Sequence, residues 1–357
     1  MHLNLLSGFL GSGKTTAINH ACKLLQMQGF RVGVITNDQG TELVDTQFMA
    51  REGILTEEVT GSCFCCNFES FTRNMNQLLE QHQVDLIFAE SVGSCTDLIS
   101  TILNPLRRYY GEIKITLSVF ADAKLLPIAL GHSRIFKDSV NYIYKRQLEE
   151  ADLLIINKVD LLEPTELAVL DSLIKKEFPD KQVVFQSSLQ RESILNWLQK
   201  TETYEHFKER RSLFIDYDIY GKGEAALTWL DYKLELVSLE GRAGLAAELL
   251  ISMLNRMIRE RNLPIGHLKF LIEGGEESQK LSFTTMETAD FRIQLSGKLD
   301  KLRMLINARV QCRPKSLQGI VDKALQRVAK QNGVKIALLK TSIFVPGYPR
   351  PTHRIIT

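Results

Sequence analysis

Gly8-Phe9-Leu10-Gly11-Ser12-Gly13-Lys14-Thr15-Thr16 fits G-x-x-x-x-G-K-[ST] at every fixed position. The apolar run before it, Leu3 to Leu6, predicts a buried strand, and the segment from Thr16 to about Gln28 predicts a helix closed by Gly29. Strand, glycine loop and helix in that order form a phosphate cradle, because glycines let the backbone turn its N–H groups inward at the positive end of the helix. Gly8, Gly11, Ser12, Gly13 and Thr16 would line it. Lys14 would reach the β- and γ-phosphates, and the Thr15 hydroxyl would ligate Mg²⁺.

Outward from this loop the chain alternates strand and helix. Strands are expected at 31–36, 54–59, 84–89, 115–120, 151–156 and 182–186, with helices between them at 68–82, 142–150, 166–178 and 192–198. In an open α/β sheet the loops at the carboxyl ends of strands lie on the ligand side. Asp38, Glu42 and Asp45, after the second strand, are therefore expected within reach of Mg²⁺ or of the attacking water, and Asp38 is carried as a catalytic residue. Glu90 ends another apolar strand and is followed by Gly93. That is the form of a second phosphate-site motif, in which the carboxylate holds Mg²⁺ and the glycine N–H senses the γ-phosphate.

Asn157-Lys158-Val159-Asp160 follows a buried strand and points to the base. A carboxylate at Asp160 accepts both N1–H and N2–H₂ of guanine, whereas adenine would leave it unpaired. Asn157 can bond the base edge or brace the phosphate loop, and the Lys158 stem can lie across the ring. Ser187, with Ser188, is a candidate for the last base-contacting loop. GTP with Mg²⁺ is thus the expected ligand, and Lys14, Asp38 and Glu90 the catalytic set for attack of water on the γ-phosphate. Asp160 also argues against a small-molecule kinase on the same loop.

From about residue 212 the texture changes to short strands around two helices. Strands are expected at 214–220, 227–239, 268–272, 280–285, 291–295 and 304–310, helices at 244–261 and 317–331, and an extended arm at 345–351. The expected architecture is an α/β P-loop NTPase domain with a mostly parallel sheet over residues 1–205, followed by a smaller α+β domain over 212–357.

With 44 basic and 42 acidic residues in 357, the charge nearly cancels and excludes a chain-wide electrostatic attraction to nucleic acid or an anionic membrane. Basic clusters at 208–211 and 256–261 have acidic neighbours and read as solvated helix faces. No apolar run approaches the ~20 residues of a membrane span. The phosphate loop at Gly8 leaves no room for a signal peptide, so a cytoplasmic location is expected.

Six cysteines in that compartment are not expected to form disulfides, and three of them, Cys63, Cys65 and Cys66, cluster after Gly61-Ser62. Three thiolates suit Zn²⁺ or Co²⁺ and leave a fourth position open. Redox chemistry and plain buried packing are the alternatives. An extended chain would point Cys66 away from the other two, so binding one ion needs a turn here. Cys22 reads as core, Cys95 is ambiguous, and Cys312 reads as packing or surface.

Taken together, these residues resemble the CobW family of P-loop GTPases, metallochaperones related to the nickel-insertion and methylmalonyl-CoA mutase chaperone GTPases. The resemblance rests on Gly8 to Thr16, Asn37 to Gly40 as N-x-x-G, Cys63, Cys65 and Cys66 as C-x-C-C, Glu90 to Gly93 as E-x-x-G and Asn157 to Asp160 as N-K-x-D, over roughly residues 1–200. This chain has Asn37-Asp38-Gln39-Gly40 where the family usually has N-E-F-G, Ser62 where a glycine usually precedes the first cysteine, and Ser91-Val92-Gly93-Ser94-Cys95 where T-S-G-L-A is usual. The resemblance implies a GTPase that delivers a metal of the zinc or cobalt class to a client metalloprotein. No arginine finger or catalytic glutamine is identified in the sequence, so slow intrinsic turnover is expected, with activation by a partner or by a nucleotide-dependent homodimer. A GTP-dependent assembly chaperone for a corrinoid or other metalloenzyme, carrying no metal itself, is the alternative.

Overall fold

The computed structural model describes residues 2–40, 43–111, 113–131, 135–205, 210–287 and 291–357. They form two compact units that interleave in sequence: residues 1–39, 49–223 and 348–357 build the first, and residues 40–48 and 224–347 the second.

The first unit carries a seven-stranded sheet of β1 (His2–Ser7), β2 (Val32–Asp38), β3 (Leu55–Thr60), β4 (Leu86–Glu90), β5 (Lys114–Asp122), β6 (Leu153–Asn157) and β7 (Gln182–Gln186). Their order is β3-β2-β4-β1-β5-β6-β7, and every pairing is parallel. Strands buried on both faces read as continuous apolar runs, which is why Leu3 to Leu6 and Leu153 to Ile156 announce themselves. The parallel arrangement brings the carboxyl ends of all seven strands to one edge. Gly8, Asn37, Cys63, Glu90, Asp122, Asn157 and Ser187 all follow or close a strand at that edge.

Near the opposite ends of β5 and β6, Asp152 accepts hydrogen bonds from Leu117 N–H (2.9 Å), Tyr204 Oη (2.9 Å) and Arg210 Nε (2.6 Å). Both partners of this ion pair are buried. Asp152→Ala would strand the Arg210 guanidinium, so it is expected to cost about 3–5 kcal/mol, read as a lowered urea midpoint. A loss below about 1 kcal/mol would mean that solvent reaches the pair.

The second unit holds a five-stranded antiparallel sheet of β8 (Thr228–Val237), β9 (Ile265–Gly274), β10 (Glu277–Phe283), β11 (Lys301–Val310) and β12 (Lys335–Phe344), ordered β10-β9-β11-β8-β12. The helices Ala243–Arg259 and Pro314–Asn332 bury Leu250, Leu254, Ile320 and Ala324 in one core with Leu234, Phe270 and Ile306 of the sheet.

Two expectations are corrected here, and one strand is added. The strand expected at 214–220 is instead the start of the helix Tyr217–Ala225, because Asp216 caps it by accepting from the N–H groups of Asp218 (2.9 Å) and Ile219 (3.0 Å). Residues 291–295 form no strand. Their backbone bonds the Gln279 side chain, with Gln294 N–H donating to Oε1 (2.7 Å) and Nε2 donating to the Arg292 carbonyl (3.0 Å). The strand β12 was not expected at all. Among the described residues no helix is long and apolar enough to cross a membrane.

Candidate functional site

The loop from Gly8 to Gly13 holds three glycines at positive φ: Gly8 (+127°), Gly11 (+76°) and Gly13 (+92°). A Cβ at Gly8 would stand 2.1 Å from the Phe120 carbonyl oxygen, and one at Gly13 would stand 2.2 Å from Asn157 Nδ2. Glycine is therefore required twice over, by backbone conformation and by space. The helix Lys14–Met27 starts at Gly13 with no side-chain cap, so its positive end is left for an anion. Ser12 Oγ is buried with no hydrogen-bond partner among the described residues. An unsatisfied hydroxyl in a glycine cradle fits a phosphate oxygen.

Lys14 is buried and donates to the carbonyls of Gly8 (2.8 Å) and Phe9 (3.4 Å), with Nζ 3.9 Å from Glu90 Oε1. The Thr15 hydroxyl donates to both carboxylate oxygens of Glu90, at 3.0 and 2.9 Å. The structure thus brings Lys14, Thr15 and Glu90 together, and a hydroxyl beside a carboxylate fits the hard oxygen donors Mg²⁺ takes. Gly93 packs on the phosphate loop itself: a Cβ there would meet Leu10 N at 3.0 Å.

At the end of β6, Asn157 braces the phosphate loop by donating to the Ser12 carbonyl (2.8 Å), while its Oδ1 accepts from Ser188 N–H (3.0 Å) and Oγ (2.9 Å). Of the serine pair, then, Ser188 holds Asn157, and Ser187 is buried beneath with its Oγ accepting from Leu189 N–H (3.4 Å). Lys158 sits at φ +65° with Nζ 2.9 Å from Asp122. Asp160 is exposed. Asp122, which closes β5, is a site residue that the sequence analysis does not name. Its position one strand over from the N-K-x-D loop was the available signal.

Asp38 closes β2 and is half-buried. Asp45 belongs to the second unit, where Lys269 and Lys280 flank it, the latter at 2.6 Å. Burial pushes its carboxyl up, but the two lysines outweigh it and hold the group far below the carboxylate range. Asp45 is therefore neutralised within that unit and corrects the expectation that it serves Mg²⁺. Glu42 lies outside the described residues.

Cys63, Cys65 and Cys66 bring their sulfurs within 4.8 Å of one another. The turn they require begins at the first of them, with Cys66 N–H and Asn67 N–H both donating to the Cys63 carbonyl at 3.0 Å. Cys63 Sγ is 2.7 Å from Cys65 Sγ, which is 3.8 Å from Cys66 Sγ. Hydrogen bonds from Cys65 and Cys66 pull the Cys63 thiol below its ordinary range. Sharing with Cys63 pushes Cys65 up, and Cys66 up to about 12. Converging soft donors of this kind fit a Zn²⁺-class ion.

Asn37 ties this turn to β2. Its Nδ2 donates to the carbonyls of Val59 (2.9 Å) and Ser62 (2.7 Å), and its Oδ1 accepts from Phe64 N–H (2.8 Å). The segment 348–357 reaches the same turn from the far end of the chain: Arg350 N–H donates to Cys66 Sγ (3.2 Å) and Thr352 N–H to the Cys65 carbonyl (2.9 Å). Neither clamp was foreseen. The first requires knowing the β2–β3 pairing, and the second has no local signal.

A glycine cradle at a helix end on the carboxyl edge of a parallel sheet defines a nucleotide-binding protein of the P-loop class. A sequence profile described as CobW/HypB/UreG, nucleotide-binding domain, matches residues 2–185, and the chain belongs to that family. It is similar to the zinc chaperone YeiR of Escherichia coli K12, at 28% identity over 184 residues covering 51% of this chain and 53% of that protein. It is similar also to the zinc chaperone CobW of a Sinorhizobium species, at 29% identity over 193 residues covering 47% and 54%. The chain spans about half the length of the curated relatives it matches. Among solved structures, HypB from Helicobacter pylori in complex with nickel aligns at 17% identity and a TM-score of 0.42, covering 59% of this chain and 92% of that one.

Proposed function

We propose that this protein hydrolyses GTP to drive delivery of a Zn²⁺-class ion, with Co²⁺ as the nearest alternative cargo, to a client metalloprotein. The observation that carries the reading is Asn37: one side chain at the end of β2 holds the turn of Cys63, Cys65 and Cys66, next along the sheet from β4 and the Glu90 that meets Thr15. A loop that rearranges with the γ-phosphate would then move the thiolates. The names of the relatives, zinc chaperones in both cases, support the choice of metal.

In this reading Lys14, the phosphate-loop amides and Mg²⁺ held by Thr15 and Glu90 neutralise charge developing on the γ-phosphate, and Asp38 sits with the attacking water. Asp160 reads guanine, and Asn157, Lys158 and Ser187 shape its pocket. No arginine finger or catalytic glutamine accompanies these residues in the reading, so intrinsic turnover is slow, and a client or a nucleotide-dependent homodimer accelerates it. The protein works in the cytoplasm.

Zn²⁺ titrations of the reduced full chain test this, with GDP or with a non-hydrolysable GTP analogue and Mg²⁺, beside a chain carrying Cys63→Ser, Cys65→Ser and Cys66→Ser. Binding of one ion that needs the cysteines and changes affinity with nucleotide is expected, and by linkage zinc must then change the GTP analogue's affinity by the same factor. If the variant binds like the parent, the cysteines only pack, and an assembly chaperone that carries no metal replaces this reading.

A further inference from the structure

The segment 348–357 belongs to the same unit as the thiol turn and touches it, yet the proposed function gives it no part. Its sequence, Tyr348-Pro349-Arg350-Pro351-Thr352-His353-Arg354, is built to stay extended. Each proline fixes its own φ and pushes the residue before it toward extended backbone, so Tyr348 and Arg350 are held straight. Proline has no N–H, which leaves Arg350 and Thr352 as the backbone donors of residues 349–352. Burial alternates along the segment: Pro349 is buried and Pro351, His353 and Ile355 are half-buried, while Arg350, Thr352, Arg354 and Ile356 are exposed. One face therefore lies on the protein and the other meets water.

Both donors meet the thiol turn. Arg350 N–H donates to Cys66 Sγ (3.2 Å), and Thr352 N–H donates to the Cys65 carbonyl (2.9 Å), which also accepts from Thr352 Oγ1 (3.3 Å). The residues beyond them are anchored one after another. His353 packs edge-on against Phe68, the first residue of the helix Phe68–Glu80 that follows the turn, with ring centres 5.0 Å apart. Arg354 Nε donates to Asp97 Oδ2 (2.8 Å), and Ile355 N–H donates to the Ser100 carbonyl (2.8 Å). Asp97 is fully buried, and its Oδ1 has no hydrogen-bond partner among the described residues. A buried carboxylate needs a cation beside it, and Arg354 supplies one.

We propose that this segment is a clasp on the metal turn: the Arg350 N–H supports the Cys66 thiolate on a bound ion, the Thr352 N–H fixes the direction of Cys65, and lifting the segment loosens the ion for transfer. The proposal deepens, and rests on, the metal-handling reading above. Three thiolates on one Zn²⁺-class ion leave excess negative charge on sulfur. A donor aimed at sulfur spreads that charge and holds the thiolate's orientation, and loss of such a partner costs about 10–100-fold in metal affinity. Arg350 and Thr352 are positioning residues, since they act through the cysteines. Because the outer face of the clasp is exposed, a recipient can reach it without opening the sheet beneath.

Arg350→Pro removes the N–H on Cys66 in a stretch already flanked by prolines, whereas Arg350→Ala removes the side chain and keeps the N–H. Each full chain is reduced and loaded with one equivalent of Zn²⁺ in the GDP form, and transfer of the ion to a chromophoric chelator is timed. Arg350→Pro should release Zn²⁺ about 10–100-fold faster than Arg350→Ala. Loading with Co²⁺ adds a spectroscopic signature. Without the N–H, Cys66 is the stronger electron donor, so thiolate-to-cobalt charge transfer in Arg350→Pro should move to longer wavelength. Arg354→Gln, which cuts the anchor on Asp97, should also speed release, and in the metal-free chain it should raise deuterium uptake of peptides spanning 348–357. Thermal melting of the metal-free chains checks folding. Equal release from Arg350→Pro and Arg350→Ala overturns the clasp, even if Arg354→Gln fails to fold, and leaves the metal-handling reading standing. A parent chain that binds no Zn²⁺ ends both.

Discussion

Replacing Lys14 by Met is expected to lower GTP turnover on the order of 10³-fold, the scale on which removal of one preorganised charge donor slows a reaction that builds negative charge. The ammonium group is buried and spans the loop, donating to the Gly8 and Phe9 carbonyls while lying 3.9 Å from Glu90. Its partners in the loop hold it in place, so little reorganisation accompanies the reaction. With Lys14 on the β- and γ-phosphates, as proposed, GDP affinity should fall less than kcat. Phosphate release at saturating GTP measures the effect, with thermal melting as the check on folding. A loss smaller than tenfold would show that Mg²⁺ and the loop amides carry the charge without it.

Changing Asp160 to Asn should raise the Kd for GTP on the order of 10²–10⁴-fold, since two charge-assisted hydrogen bonds to guanine are each worth about 1.5–3 kcal/mol. The same substitution should improve binding of xanthosine triphosphate, whose C2 carbonyl accepts from an amide where guanine's amino group donated to the carboxylate. Asp160 is exposed, and the turn before it is set by Lys158 at φ +65° with its ammonium on Asp122. Its direction is thus held by the Lys158–Asp122 pair. Fluorescent guanine and xanthine nucleotides titrated against both proteins decide the matter. A variant that weakens both equally would mean that Asp160 shapes the loop rather than reads the ring.

The site was legible in the sequence where function depends on closely spaced residues. Gly8 to Thr16 and Asn157 to Asp160 announce their chemistry because one turn of backbone delivers every group required. Cys63, Cys65 and Cys66 announce a cluster for the same reason, and the turn they needed begins at Cys63. The inner parallel strands were equally plain, since burial on both faces makes β4 and β6 nearly unbroken apolar runs, whereas the edge strand β3 reads Leu-Thr-Glu-Glu-Val-Thr and is mostly half-buried.

What local pattern could not contain is the pairing of residues far apart in the chain. That Asn157 braces Ser12, 145 positions earlier, rather than bonding the base was one of two open choices, and the packing of β6 beside the loop selected it. Asp45 read as a ligand for Mg²⁺ until Lys269 and Lys280, more than two hundred residues later, claimed its charge. The strand β12 escaped because an edge strand is only half-buried, so its hydrophobic signal is diluted by residues such as Lys335 and Lys340. The segment 348–357 read as a bare extended arm, yet it donates to Cys65 and Cys66. The sequence by itself determined the phosphate cradle, the N-K-x-D loop and the presence of three adjacent thiols, because covalent spacing alone places those groups. Only the tertiary structure decided what holds the thiols and which carboxylates remain beside the glycine loop, because those outcomes depend on which strands pair and which distant charges meet.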